Sequence, residues 1–258
     1  MAKVFAIVNQ KGGVGKTTTC INLAASLVAS KKHVLLIDLD PQGNATTGSG
    51  VDKLGLACSI YDVLVGDCSF VDAMHFSEQA GYQLLPANRD LTAAEVELLN
   101  LAHKENRLRE ALAPIRDNYD YILIDCPPSL SMLTINALVA ADAVVIPIQC
   151  EYYALEGLTD LLNTIERITS SLNPSLYIEG LVRTMYDARM SLTNDVTNQL
   201  QAHFGARLYK TVIPRNIRLA EAPSFGLPAL IYDKQSKGAE AYLALAKEMI
   251  KKQRNANR

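Results

Sequence analysis

The densest chemistry in the sequence is one short run, Gln10-Lys11-Gly12-Gly13-Val14-Gly15-Lys16-Thr17-Thr18. Its glycines let backbone N–H groups turn toward one point, and a helix starting behind them adds the positive end of its dipole. Lys16 offers a cation and Thr17 a hydroxyl for magnesium, so the run reads as a cradle for a nucleoside triphosphate. Gln10 replaces the first glycine of the G-x-x-x-x-G-K-[ST] pattern, and a second lysine, Lys11, sits inside the loop. Two lysines are excess charge for one nucleotide. Lys11 either reaches the γ-phosphate of a neighbouring subunit, as an arginine finger does in trans, or is one more solvated lysine.

The elements that must position this loop follow from the hydrophobic pattern. Residues 4–8, 34–37, 121–124 and 143–148 are short, β-branched and unbroken rather than alternating, as strands covered on both faces are. Helical spacing over 17–30 and 95–115 separates them, so strands alternate with helices and a mostly parallel sheet with helices on both faces is expected. Further strands are predicted at 177–182, 211–213 and 229–232, with a helix over 191–204. Without repeat or linker, 1–258 reads as one domain, with 251–258 a polar, frayed tail. Asp38 and Asp40 sit where the second strand ends, and Asp125 ends the third. Ligands of open α/β sheets bind at the carboxyl ends of strands. A single aspartate there often only caps a turn; three at equivalent ends fit a ligand better.

Composition narrows the class. The 258 residues are 49% hydrophobic, with 25 basic and 27 acidic side chains, which excludes a disordered or fibrous chain. No apolar run reaches the roughly 18 residues of a membrane span, and the start Met1-Ala2-Lys3-Val4-Phe5 has no signal-peptide core, so a cytoplasmic protein is expected. Five dispersed cysteines without C-x-x-C spacing read as small buried thiols, and four scattered histidines suggest no metal cluster. Charge is uneven. Residues 1–179 hold 12 basic and 21 acidic side chains, whereas 180–258 hold 13 and 6. A basic final third suits a polyanion, or merely solvates surface helices.

The loop resembles the deviant Walker A motif of the ParA/MinD group of P-loop ATPases. Four further motifs are similar to Soj-type ParA chromosome-partitioning ATPases: Asp38-Leu39-Asp40-Pro41-Gln42-Gly43-Asn44, Ile124-Asp125-Cys126-Pro127-Pro128-Ser129, Glu151-Tyr152-Tyr153-Ala154-Leu155-Glu156-Gly157, and Pro214-Arg215-Asn216-Ile217-Arg218-Leu219-Ala220-Glu221-Ala222-Pro223-Ser224. The likeness covers nearly the whole chain and implies an α/β P-loop NTPase fold that binds ATP and Mg2+. It gives Asp40 the attacking water, Asp38 and Asp125 the magnesium shell, and Pro127-Pro128-Ser129 the switch loop. Met185, Pro214 and Asn216 would flank adenine, although Met185 also suits core filling. Lys11, Lys16 and Asp40 would then be the catalytic set.

The resemblance further implies a homodimer with ATP between its halves, crossed by Lys11, and slow hydrolysis stimulated by a ParB-type centromere-binding partner. Arg189, Arg215 and Arg218 would touch nonspecific double-stranded DNA in the nucleoid, phosphate contacts that carry affinity without sequence information. Arg218 could instead pair with Glu221 at helical spacing. No helix-turn-helix precedes the loop, so operator reading is not expected. Tyr242, Leu245 and Met249, at helical spacing within 239–250, pack on the sheet or, as in a MinD-like membrane-associated positioning ATPase, meet a bilayer; the polar residues after 250 favour the sheet.

Overall fold

The computed structural model describes residues 2–152 and 154–256. Unbroken apolar runs become strands β1 (Lys3–Ile7), β2 (Val34–Asp38), β3 (His75–Ser77), β4 (Tyr82–Leu85), β5 (Tyr121–Asp125), β6 (Ala143–Gln149), β7 (Tyr177–Tyr186) and β8 (Leu208–Pro214). They form one eight-stranded sheet in the order β3-β4-β2-β5-β1-β6-β7-β8, parallel except where β3 meets β4. The helices are α1 (Lys16–Ala29), α2 (Asn44–Gly48), α3 (Ile60–Val65), α4 (Phe70–Ala73), α5 (Leu91–Glu97), α6 (Arg107–Leu112), α7 (Met132–Ala140), α8 (Ala154–Ser171), α9 (Ser191–Phe204), α10 (Ile217–Glu221), α11 (Ala229–Tyr232) and α12 (Lys237–Ala256).

Every residue of β2 and β5 is buried, because alternate side chains feed two separate cores. Leu35, Ile37, Ile122 and Ile124 point to the core shared with α7 and α8, around Leu133, Leu138 and Leu161. Leu36 and Leu123 point to the other, where Leu23 and Leu27 of α1 meet Tyr242, Leu245 and Met249 of α12. Each such side chain contributes about 1.5–3 kcal/mol on burial, so the two layers clamp the sheet between them. The three α12 residues thus lie in the core, and among the described residues no helix is long and apolar enough to cross a membrane.

The structure departs from the sequence reading in several places. Residues 229–232 form α11, not a strand: Pro228 caps it and the Asn22 side chain accepts from Ala229 N at 2.8 Å, tying the segment to α1. The helix expected over 95–115 breaks between α5 and α6. His103 adopts φ 54°, and Asn136 intercepts the freed backbone, accepting from Leu108 N and donating to Lys104 O. The β3–β4 hairpin was too short to show a period. At the C-terminus α12 continues to Ala256 where a frayed tail was expected, because the Glu179 carboxylate, 3% exposed, accepts from Gln253 at 2.6 Å and faces Lys252 at 3.5 Å. Residues 257 and 258 of that tail lie outside the described residues, as does Tyr153.

Among the cysteines, Cys20, Cys126 and Cys150 are buried thiols, whereas Cys58 and Cys68 are disulfide-bonded across α3 with their Cα atoms 6.4 Å apart.

Buried amides close the joints between layers. Asn173 Nδ2 donates to the carbonyls of Leu138, Val139 and Ala141, satisfying the end of α7. Replacing it with alanine leaves buried acceptors unpaired, and Asn173→Ala is expected to cost about 2 kcal/mol, measured as a lower urea midpoint at unchanged slope.

Candidate functional site

The parallel register builds the site. Ile7 pairs with Asp125, and Asp125 with Asp38, so the ends of β1, β5 and β2 lie side by side at the carboxyl edge of the sheet. The chain leaving β1 turns over this row and enters α1. Gly13 at φ 74° and Gly15 at φ 87° take left-handed conformations that side chains resist. Neither Gly12 nor Gly13 would place a Cβ within 4 Å of another group, so the loop's concave side stays open. Two polar residues fix its rim: Asn9 accepts from Lys11 N and donates to Pro147 O, and Thr184 Oγ1 donates to Val14 O at 2.8 Å.

The two loop lysines take different places. Lys16 is 7% exposed, its ammonium on Lys11 O at 3.2 Å. Lys11 leaves the loop, half exposed, and pairs with Glu151 at 2.5 Å.

Below the loop the carboxylates are deeply buried. Asp38 Oδ2 accepts from Thr46 N and Thr46 Oγ1, both at 2.7 Å, and Oδ1 from Asp40 N. These bonds anchor the start of α2 and hold the Asp40 turn. Asp40 Oδ1 accepts from Gln42 N. Asp125 Oδ1 accepts the weak Cys20 thiol at 3.5 Å, the Thr17 hydroxyl lies beside the carboxylate, and among the described residues the fully buried Oδ2 has no closely matched hydrogen-bond partner. Burial raises the pKa of both Asp38 and Asp125, and for Asp125 the neighbouring Asp38 charge adds to the effect, opposed by the Thr17 hydroxyl. Burial lowers that of Lys16, against the pull of Asp125 and then Asp40. The site is therefore a partly compensated set of buried charges.

An orphaned carboxylate oxygen beside a threonine hydroxyl fits a hydrated magnesium ion. Among the described residues no three His, Cys, Asp or Glu groups converge to enclose an ion; magnesium needs no enclosure, since it keeps several waters and takes one or two carboxylates with substrate phosphates. Thr17 and Asp125 would hold it, with Asp38 behind them.

Two spaces adjoin the loop. One of about 260 Å³ is lined by Gly12, Gly13, Lys16, Thr17, Asp40 and Pro128, bringing the loop, the Asp40 carboxylate and the Pro127-Pro128-Ser129 segment together. The other, about 160 Å³ and mostly apolar, is lined by Thr18, Met185, Ile213, Pro214, Asn216 and Tyr242 among others. Met185, at φ 49°, faces both. The residues expected to flank a base are therefore gathered at one pocket. Sequence reasoning missed Thr184, Ile213 and Tyr242 there. Tyr242 carried only a helical-spacing signal, and Thr19 hydrogen-bonds its hydroxyl at 3.1 Å.

Of the three arginines, Arg215 also lines the apolar pocket beside the loop, with Gly15 and Thr18. Arg189, with its side chain 89% exposed, pairs with Asp187 at 2.6 Å, and Arg218 pairs with Glu221 at 2.8 Å and Asp233 at 3.2 Å, so the helical-spacing pair with Glu221 is present. Arg215 is exposed and close enough to lower the Asp187 pKa further, behind the dominant Arg189 hydrogen bonds.

The AAA_31 family model, described as an AAA domain, matches residues 2–178. The chain is 54% identical to the chromosome partitioning protein ParA of Caulobacter vibrioides over 98% of this chain and 96% of that one. It is 53% identical to the sporulation initiation inhibitor protein Soj of Bacillus subtilis, over 96% and 98%. Among solved structures, the Mycobacterium smegmatis cobyrinic acid a,c-diamide synthase with bound ADP and magnesium superposes with a TM-score of 0.84 at 39% identity, covering 96% of this chain and 93% of that one.

With Lys16 the buried cation facing the cradle, Lys16→Gln is expected to weaken ATP binding at least about 100-fold, or roughly 2.8 kcal/mol, read by titration calorimetry; near-native affinity would remove Lys16 from the phosphate site.

Proposed function

The chain belongs to the ParA/Soj family of chromosome-partitioning ATPases, and from that premise we propose an ATP-switched dimer that carries DNA. ATP with magnesium joins two copies, the pair binds double-stranded DNA without sequence preference, and hydrolysis stimulated by a ParB-type centromere-binding protein releases it. The chain would then reside on the nucleoid.

The observation that carries this reading is the separation of the two lysines. Lys16 serves its own loop, while Lys11 stands outside it on Glu151, exposed and uncommitted to the local phosphate site. A charge placed at the mouth of one cradle can stabilise phosphates in the opposite one, the logic of an arginine finger in trans. Exchange of Glu151 for a partner's γ-phosphate would make the dimer depend on ATP. Tyr152 and Leu130, large and exposed near this mouth, would be covered in the same step.

Within each cradle the chain's work is positioning. Backbone N–H groups of residues 12–16 and Lys16 hold the phosphates, and Asp40, fixed by Gln42 N and by the Asp38 carboxylate on its own N–H, aligns the attacking water. Magnesium, when bound, neutralises charge on the β- and γ-phosphates. Thr134 Oγ1 donates to Ser129 O and secures the Pro127-Pro128-Ser129 turn that would sense the γ-phosphate.

Arg189, Arg215 and Arg218 would form the DNA contact. Their exposed pairs with Asp187, Glu221 and Asp233 are weak in water and yield to phosphate oxygens, and two copies side by side double the patch.

Two outcomes test this. Lys11→Ala should bind ATP normally yet lose at least about tenfold in ATP-dependent affinity for random-sequence duplex, measured by fluorescence anisotropy; undiminished binding would deny the trans role. Asp40→Ala should keep ATP and DNA binding while turnover drops about 100-fold or more, followed by phosphate release; unchanged turnover would take Asp40 out of the chemistry.

A further inference from the structure

The fold sorts the five cysteines into two groups. Cys20, Cys126 and Cys150 are buried and shielded from reagents, whereas Cys58 and Cys68 are half-buried and bonded to each other. Thiol chemistry needs access as well as a partner sulfur, and of the five this pair has both.

The backbone, and not the bond alone, holds the two sulfurs together. Asp62 of α3 fastens both flanks. Its carboxylate accepts from Ser59 N at 2.7 Å and Ser59 Oγ at 3.0 Å, fixing the residue after Cys58, and its carbonyl accepts from Gly66 N, Asp67 N and Cys68 N at 3.0, 2.8 and 3.2 Å. Gly66, at φ 99°, supplies the left-handed turn that brings Cys68 back toward Cys58. The helix is tied to the chain after β4 by Ile60 N on Pro86 O, and to α6 by Arg107 Nε on Leu64 O, both at 2.8 Å. Two thiols released from the bond therefore stay beside each other, placed to close again.

This bond is not a staple for folding. It joins residues 10 apart in a chain of 258 that already builds two hydrophobic cores. On the nucleoid, the chain's proposed residence, thiols are kept reduced, and a disulfide there is transient and redox-sensing. Its position gives such a signal somewhere to act. The loop entering Cys58 carries Lys53, whose ammonium donates to Gln42 O at 2.6 Å, and Gln42 N donates to Asp40 Oδ1 at 2.9 Å. Leu54, next to Lys53, is 90% exposed, so this part of the loop is not set by packing. The closed bond anchors the loop's far end on α3.

We propose that Cys58 and Cys68 form a reversible thiol–disulfide site that tunes the Asp40 turn through Lys53, with hydrolysis faster when the bond is closed. It rests on the reading of Asp40 as the residue that aligns the attacking water. Oxidation would then shorten the time the ATP-joined pair spends on DNA. The oxidant is a low-molecular-weight disulfide. One cysteine thiolate attacks one of its sulfurs, forming a mixed disulfide and expelling a first small thiolate; the second cysteine attacks the protein sulfur of that mixed disulfide and expels the other. The two protein thiols give up two electrons and two protons, which end on the two small thiols released. Excess small thiol runs the exchange backwards.

The test compares ATP turnover of the full chain, by phosphate release, after equilibration with glutathione disulfide and with reduced glutathione. Alkylation of the native protein and peptide mapping should find Cys58 and Cys68 joined in the first sample and alkylated in the second, with Cys20, Cys126 and Cys150 unreacted in both. Turnover should be at least about threefold higher in the oxidised form. C58S/C68S should match the reduced form under both treatments, and C58A/C68A replaces it if the serine variant does not fold. Equal turnover of the two wild-type forms, faster turnover of the reduced form, a bond that neither forms nor reopens, or the same redox response from C58S/C68S would each overturn the proposal. Asp40→Ala should turn over slowly in both redox states. Loss of turnover there with no redox response in the wild type overturns this inference alone, whereas a redox response persisting in Asp40→Ala at wild-type turnover would fail the Asp40 reading and overturn this route with it.

Discussion

The structure depends on two carboxylates, Asp38 and Asp125, brought side by side into the interior by the register of three parallel strands. Away from water, like charges disfavour each other's ionisation, and neither can be buried cheaply without compensation. Asp38 is compensated by Thr46 and by the Asp40 backbone, which makes it the keystone of the turn after β2. Asp125 is left with an oxygen that lacks a closely matched partner among the described residues, and its charge acts on the buried Lys16 ammonium. An imperfectly satisfied centre of this kind is completed from outside. On the proposed reading a phosphate chain with its magnesium would supply both signs of charge the fold withholds, so that binding and local stability would be coupled.

The same economy of charge separates the roles of the basic residues. A buried lysine acts on its own loop, an exposed lysine is parked on Glu151, and arginines held by exposed carboxylates remain exchangeable. Increasing exposure from Lys16 to Lys11 to Arg189 follows the order in which phosphates of one copy's nucleotide, another copy's nucleotide and a separate polymer would be met. On the proposed reading these would be three anion contacts that cannot substitute for one another.

Much of this was legible in the residues. The strands β1, β2, β5 and β6 declared themselves through two-sided burial, and the glycine loop and the three aspartates through position at strand ends. What stayed hidden had tertiary causes. Ala229-Leu230-Ile231-Tyr232 has strand-like residues, but Asn22 and Pro228 decide its helix. The break between α5 and α6 depends on Asn136, distant in sequence, and the continuation of α12 depends on Glu179 in β7. Cys58 and Cys68 gave no spacing signal, because only the turn around α3 brings them together. Thr184 entered the site through a single hydrogen bond to the loop carbonyl of Val14, an assignment no local pattern carries.

The direct measurement is the molar mass of the Asp40→Ala chain by sedimentation equilibrium with Mg-ATP and with Mg-ADP, since blocked turnover holds the triphosphate state. A species of twice the 28.2 kDa chain with ATP and of one chain with ADP is the predicted result. One chain's mass with both nucleotides would contradict an ATP-joined pair.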